Sequence, residues 1–232
     1  MKGNNNNNNT HLGFIHRFIH PTGSEELNRT PNAQRTKGKK SYRTFLLLHG
    51  TGGNEEDLVP LAHELDQSAA ILSPRGKVLE NGTTPRFFRR LTEGVFDVED
   101  LKFRTNELAN FVKDASNIYD FDMNGLIAVG YSNGANIASS MLLLRPEILS
   151  GAILFRPMVP LVPSVLPDLT NKNIFTSSGL HDPIVSKQEA QNLVNLFKQS
   201  GAKISAYWQN GGHELRLDEI KKAKEWLSDM LS

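Results

Sequence analysis

A serine at 132, an aspartate at 182 and a histidine at 213 are the residues whose types, order and surroundings could build a nucleophilic relay in this chain. A serine hydroxyl attacks carbonyl carbon poorly until a base takes its proton, and the base works only when a third group orients it. Ser132 is the centre of Gly130-Tyr131-Ser132-Asn133-Gly134. Before it, Leu126, Ile127, Ala128 and Val129 read as a short buried strand; after it, residues 135–144 read as a helix. A serine on so tight a strand-to-helix turn is held in strained backbone geometry. The flanking glycines remove Cβ atoms that would strike the neighbouring elements. The helix starting behind the serine offers unpaired N–H groups and a positive dipole end to a developing oxyanion. The plainer use of Ser132 is as a helix N-cap, and a bare G-x-S-x-G is common by chance.

Partners downstream separate the two readings. Asp182 lies in Gly179-Leu180-His181-Asp182-Pro183-Ile184-Val185, just after a strand-like run at 174–177. His213 lies in Gly211-Gly212-His213-Glu214, after another such run at 204–208. In an open parallel sheet the carboxyl ends of the strands share one edge, where ligands bind. Ser132, Asp182 and His213 are therefore expected to meet there. The alternatives are an Asx turn before Pro183 for Asp182 and a plain loop histidine for His213; Asp168 is the next acid on sequence position. The glycines of Leu48-His49-Gly50-Thr51-Gly52-Gly53 let backbone N–H groups turn toward the same edge. The N–H groups of Thr51 and Asn133 are the expected oxyanion donors. His49 is expected to brace that loop, and His181 to be a bystander.

Arg86-Phe87-Phe88-Arg89-Arg90 mixes aromatic and basic residues, a pattern that also suits membranes or nucleic acids. Its place between a strand and a long helix makes it a loop. Phe87, Phe88 and Phe96 are expected as walls of an acyl or aromatic pocket, with Met158, from the apolar stretch 158–169, opposite. Core packing is the alternative for each. His16 and His20 have helical metal spacing, but their segment reads as a strand with no carboxylate at hand, so no metal site is expected.

These residues need a scaffold, and 232 residues suffice for one sizeable α/β domain. From residue 44 the pattern alternates as in a parallel α/β sheet. Strands are expected at 45–49, 69–73, 126–129, 152–155, 174–177 and 204–208. Helices are expected at 56–65, 98–118, 135–144, 187–199 and 217–231. The last carries Ile220, Ala223, Trp226, Leu227 and Met230 on one face. Residues 13–20 alternate loosely, as an edge strand with Phe14, Ile15, Phe18 and Ile19 as its buried candidates. Residues 1–12, with their asparagine run at 4–9, read as a disordered polar extension. The domain is expected to span 13–232, with a long loop at 21–43. Net charge is +1, but residues 1–43 hold eight Lys/Arg against two Glu, leaving a body of net −5. The basic residues near Lys37, Lys39 and Lys40 are expected to be a solvated tail. Cysteine is absent, which excludes disulfides, thiolate metal sites and a cysteine nucleophile. No apolar run approaches the ~20 residues that span a bilayer, and the N-terminus has no apolar h-region. A soluble cytoplasmic protein is expected.

The segments HGTGGNEEDL, GYSNGAN, GLHDPIV and GGHEL, in that order across residues 49–215, resemble the phospholipase/carboxylesterase family, which includes acyl-protein thioesterases. SPRGKVLENGTTPRFFRRLTEGVFDVEDL, at 73–101, is similar to its bacterial-type carboxylesterase branch, some members of which are linked to hydroquinone or quinone response. The resemblance covers about residues 44–231. It implies an α/β-hydrolase: a mostly parallel central sheet, helices on both faces and no large cap domain. It also implies a serine carboxylesterase acting on short to medium acyl or aromatic esters. Ser132 would be the nucleophile, Asp182 the acid, His213 the base, and Thr51 and Asn133 the oxyanion donors, with no cofactor and no metal. The expected partner is a small-molecule ester, without nucleic acid or stable membrane insertion; a homodimer stays open. Acyl thioesterase or lysophospholipase activity is the rival use of the site, to be separated by pocket depth. A non-catalytic binding module is the rival from another class, and a complete triad opposes it. Asn133 stands where the thioesterase relatives carry Gln.

Overall fold

The computed structural model describes residues 12–21 and 42–230. The asparagine run, Lys37, Lys39, Lys40 and nearly all of the loop expected at 21–43 lie outside the described residues.

Among the described residues seven strands form one sheet: β1 (His16–Ile19), β2 (Thr44–Leu48), β3 (Ala70–Pro74), β8 (Leu126–Tyr131), β9 (Gly151–Phe155), β10 (Asn173–Gly179) and β11 (Lys203–Gln209), in the spatial order β1-β3-β2-β8-β9-β10-β11. All neighbours are parallel except β1, which runs antiparallel to β3. Strand β2 explains why the sheet needs two covered faces. Its five residues are all buried, and they alternate: Leu46 and Leu48 enter one apolar cluster, Phe45 and Leu47 the other. The first cluster is completed by helices α2 (Val98–Tyr119), α3 (Asn133–Leu144) and α4 (Lys187–Gln199), through residues such as Leu108, Ile137 and Phe197. The second is completed by α1 (Val59–Leu65) and α5 (Leu217–Asp229), through Leu61, Leu65, Ala223 and Leu227. Ile220, Trp226 and Met230 of the expected α5 stripe pack there too, partly buried.

Helix α1 begins at Val59 rather than 56, because Pro60 favours the first helical turn and residues 54–58 form turns before it. Residues 78–96 were expected as loop but fold into two small hairpins, β4 (Val78–Glu80) with β5 (Thr84–Arg86) and β6 (Arg90–Thr92) with β7 (Val95–Phe96). At the N-terminal edge the expected set of buried residues needs one correction. Ile15 is 41% exposed, whereas His16 is fully buried. Side chains alternate along a strand, so Phe14, His16 and Phe18 share the face that meets α2. There the His16 ring bonds Phe14 O through Nδ1 and the Tyr119 hydroxyl through Nε2. Phe18 stacks on Tyr119 at 4.2 Å. A histidine with both ring nitrogens satisfied behaves as a core residue.

Candidate active site

The turn from β8 into α3 holds Ser132 at φ 52° and ψ −113°, a left-handed conformation that few residues other than glycine adopt. Packing enforces it. A Cβ on Gly134 would lie 1.8 Å from Leu48 O, and one on Gly130 would lie 2.7 Å from Gly134 O. Strand β2, the turn and α3 thus approach as closely as bare backbone allows. Ser132 N–H donates to Phe155 O at 2.9 Å, tying the turn to β9. Its hydroxyl makes no cap bond to α3, which removes the N-cap reading.

Asp182 lies three residues beyond β10 and His213 four beyond β11, strands paired in register up to Gly179 and Gln209. Both loops therefore leave the sheet at the edge where Ser132 stands. Ser132 Oγ lies 2.9 Å from His213 Nε2, and His213 Nδ1 lies 2.7 Å from Asp182 Oδ2. With Nδ1–H donating to the carboxylate, Nε2 is left to accept the serine proton. The carboxylate is 1% exposed and the imidazole 18%. Asp182 also makes the Asx turn that was its alternative use: Oδ1 accepts N–H bonds from Ile184 at 2.8 Å and Val185 at 3.0 Å. One oxygen serves the turn and the other the histidine. Asp168 is instead bonded to Thr170, and His181 to Asn210.

The backbone N–H groups of Thr51 and Asn133 donate to no protein acceptor among the described residues, and both residues line the cavity beside the serine. His49, 2% exposed, braces the first loop: Nδ1–H donates to Gly50 O at 2.7 Å and Nε2 accepts the Gly76 N–H at 2.9 Å. Burial pulls its pKa below the ordinary value, outweighing the Gly50 bond and the nearby Asp57 and Glu55 carboxylates. With both nitrogens engaged it is no second base.

Several residues that position the site carried no sequence signal of their own. Arg156, directly after β9, has φ 57° and is fully buried against Glu219 of α5, with Nη1 and Nη2 at 2.6 and 2.7 Å from the two carboxylate oxygens. Two further donors grip the histidine loop, Nε bonding Gly212 O at 3.0 Å and Nη2 bonding Glu214 O, while Nη1 also bonds Ser177 O at 3.2 Å. Both carbonyls adjoin His213. Tyr131 adds a third hold, its hydroxyl donating to His213 O at 2.9 Å. The asparagines of GYSNGAN strap down the walls: Asn133 Oδ1 accepts the Phe87 N–H at 2.8 Å and Asn136 Oδ1 the Met158 N–H at 2.9 Å.

A cavity of about 260 Å³ opens beside the serine. Phe96, Met158, Ile184 and Val185 give it an apolar side, and Arg86 and Arg90 a basic one. Phe96 and Met158, two of the four expected walls, line this cavity. Phe87 and Phe88 do not: they are 2% and 0% exposed and belong to the core. The bond from Phe87 N–H to Asn133 pulls the segment inward, so Phe87 packs on His49 and Phe88 on Phe96. Among the described residues no three His, Asp or Glu side chains are grouped so as to hold a metal ion. Nor is any helix among them long and apolar enough to cross a membrane.

Comparison with known proteins agrees with this architecture. The family described as Phospholipase/Carboxylesterase matches residues 28–231. MhqD of Bacillus subtilis (strain 168) is 48% identical over 191 residues, 82% of this chain and 95% of that one. The Bacillus cereus carboxylesterase structure is 46% identical, superposes with a TM-score of 0.83, and the match covers 93% of this chain and 94% of that one. YahD, solved with malic acid, is 32% identical with a TM-score of 0.80, over 93% and 98% of the two chains. With a family match over most of its length and relatives near one-half identity on the same fold, the chain belongs to the phospholipase/carboxylesterase family and is an α/β-hydrolase.

Proposed function

We propose that the protein hydrolyses carboxylic esters of short acyl chain or aromatic alcohol, with Ser132 as nucleophile, His213 as general base and Asp182 as the orienting acid. The observation that carries this reading is the continuous hydrogen-bonded line from Ser132 Oγ through His213 to Asp182. His213 Nε2 takes the hydroxyl proton as Oγ attacks the carbonyl, and the free N–H groups of Thr51 and Asn133 receive the oxyanion. Collapse expels the alcohol, protonated by His213. Water, deprotonated by the same nitrogen, then releases the acid from Ser132.

Cavity size favours the short-chain reading over a long-acyl thioesterase or lysophospholipase, since about 260 Å³ with a basic side is no deep apolar channel. A fluorophosphonate should label the wild type and not Ser132→Ala. The variant should lose on the order of 10⁶ in turnover of p-nitrophenyl butyrate with an unchanged fold. Comparable turnover in the variant would overturn the assignment. In a panel from acetate to palmitate, kcat/KM should fall beyond butyrate; a rise through palmitate would restore the long-acyl reading.

A further inference from the structure

The basic side of the cavity has more cation than the fold consumes. Arg86 is 3% exposed yet lines the cavity. Its Nε donates to Phe88 O at 3.3 Å and its Nη1 to Thr51 Oγ1 at 2.8 Å, while Nη2 makes no hydrogen bond among the described residues. The nearest carboxylate is Glu80, 3.7 Å from Nη1. That carboxylate is already held by Arg90, through Nε at 2.7 Å and Nη2 at 3.1 Å, and Arg90 Nη1 makes no hydrogen bond among the described residues. Two guanidinium groups thus share one carboxylate. Burial, and next the charge of Arg90, pull the Arg86 pKa below its ordinary value, with Glu80 opposing them. The other charges on the wall do not relieve this. Arg156 is matched by Glu219, and Glu93 is exposed and makes no ion pair among the described residues. A buried cation without a full partner is costly, and a planar guanidinium with a free Nη suits a carboxylate.

We infer that the preferred substrate is an ester bearing a free carboxylate, which Arg86 and Arg90 bind beside Ser132. This deepens the esterase reading and rests on it. The position of Arg86 against Thr51, at the oxyanion loop, sets the anion close to the reacting carbonyl.

The test uses charge-matched pairs: 4-acetoxybenzoate against its methyl ester, with the charge on the alcohol side, and monophenyl adipate against phenyl hexanoate, with the charge on the acyl side. In at least one pair, wild-type kcat/KM should favour the anion by about tenfold, mainly through KM, the scale of one charge-assisted hydrogen bond. Arg86→Gln and Arg90→Gln should each collapse that ratio toward one. Because Arg86 also holds Phe88 and Thr51, Arg90→Gln and binding of benzoate against benzamide to Ser132→Ala, read by calorimetry, keep the test open if Arg86→Gln misfolds. A wild-type ratio at or below one in both pairs, or a ratio that neither substitution lowers, overturns the inference. Neutral esters turned over without benzoate binding would sink the anion site alone. Benzoate binding with no ester turned over would sink the esterase reading while supporting the anion site.

Discussion

At the scale of single residues, Asp182 has its two oxygens divided between tasks. Oδ1 closes the turn onto Ile184 and Val185, and Oδ2 holds His213. Replacing it by Asn keeps an oxygen for the turn but puts an N–H donor or a neutral oxygen opposite His213 Nδ1, so the imidazole loses its tautomer and its counter-charge. Asp182→Asn is expected to lower turnover of p-nitrophenyl butyrate by about 10⁴, with circular dichroism unchanged. A loss of only a few fold would move the acid role elsewhere. The meeting of Ser132, Asp182 and His213 was legible because glycine sterics and strand-end position are local features. The division of Asp182 was not, since it depends on a histidine 31 residues away.

At the scale of elements, the histidine loop is held by a buried ion pair that links β9 to α5. Every oxygen of Glu219 is occupied: Oε1 by Arg156 Nη2 and the Arg216 N–H at 2.7 Å, Oε2 by Arg156 Nη1 and the Ser177 hydroxyl. Removing one partner leaves the other charged and buried. Arg156→Met should therefore destabilise the protein by about 3–5 kcal/mol, measured by urea unfolding. Arg156→Met with Glu219→Leu should recover much of that stability, because both charges leave together. Turnover should stay down by about 10², since the carbonyls of Gly212 and Glu214 still lack the donor that fixes His213. Recovery of full activity in the double variant would reduce the pair to a structural role. No sequence pattern pointed to it: Arg156 follows an apolar strand, and Glu219 reads as an ordinary first-turn acid.

For the whole molecule, His49 couples stability to pH. It joins the glycine-rich loop after β2 to Gly76 after β3, and its burial holds the folded pKa below the ordinary 6.5. The unfolded chain binds a proton here that the folded chain resists. The contribution is therefore present above about pH 6.5 and is lost as pH falls toward the depressed folded value. Melting temperature should drop between pH 7 and pH 5 more steeply for the wild type than for His49→Gln, by up to one proton of linkage. Parallel curves for the two proteins would remove His49 from the acid response.

The sequence by itself determined the elbow, the order of the chemical residues and the alternation of strands and helices. Each follows from short-range rules: a Cβ that would not fit at Gly130 or Gly134, and a twofold or 3.6-residue period. Only the tertiary structure decided which way side chains point where the local pattern is indifferent. Phe87 and Phe88 read as cavity walls, but with Phe87 N–H bonded to Asn133, 46 residues away, both lie in the core, and Arg86 and Arg90 line the cavity. Ile15 and His16 exchanged their expected environments for the same kind of reason. A strand's two faces are equivalent until it is paired, and pairing with β3 set His16 under Tyr119. The fold follows from patterns repeated along the chain, whereas the polarity of the cavity rests on a few contacts between residues far apart in it.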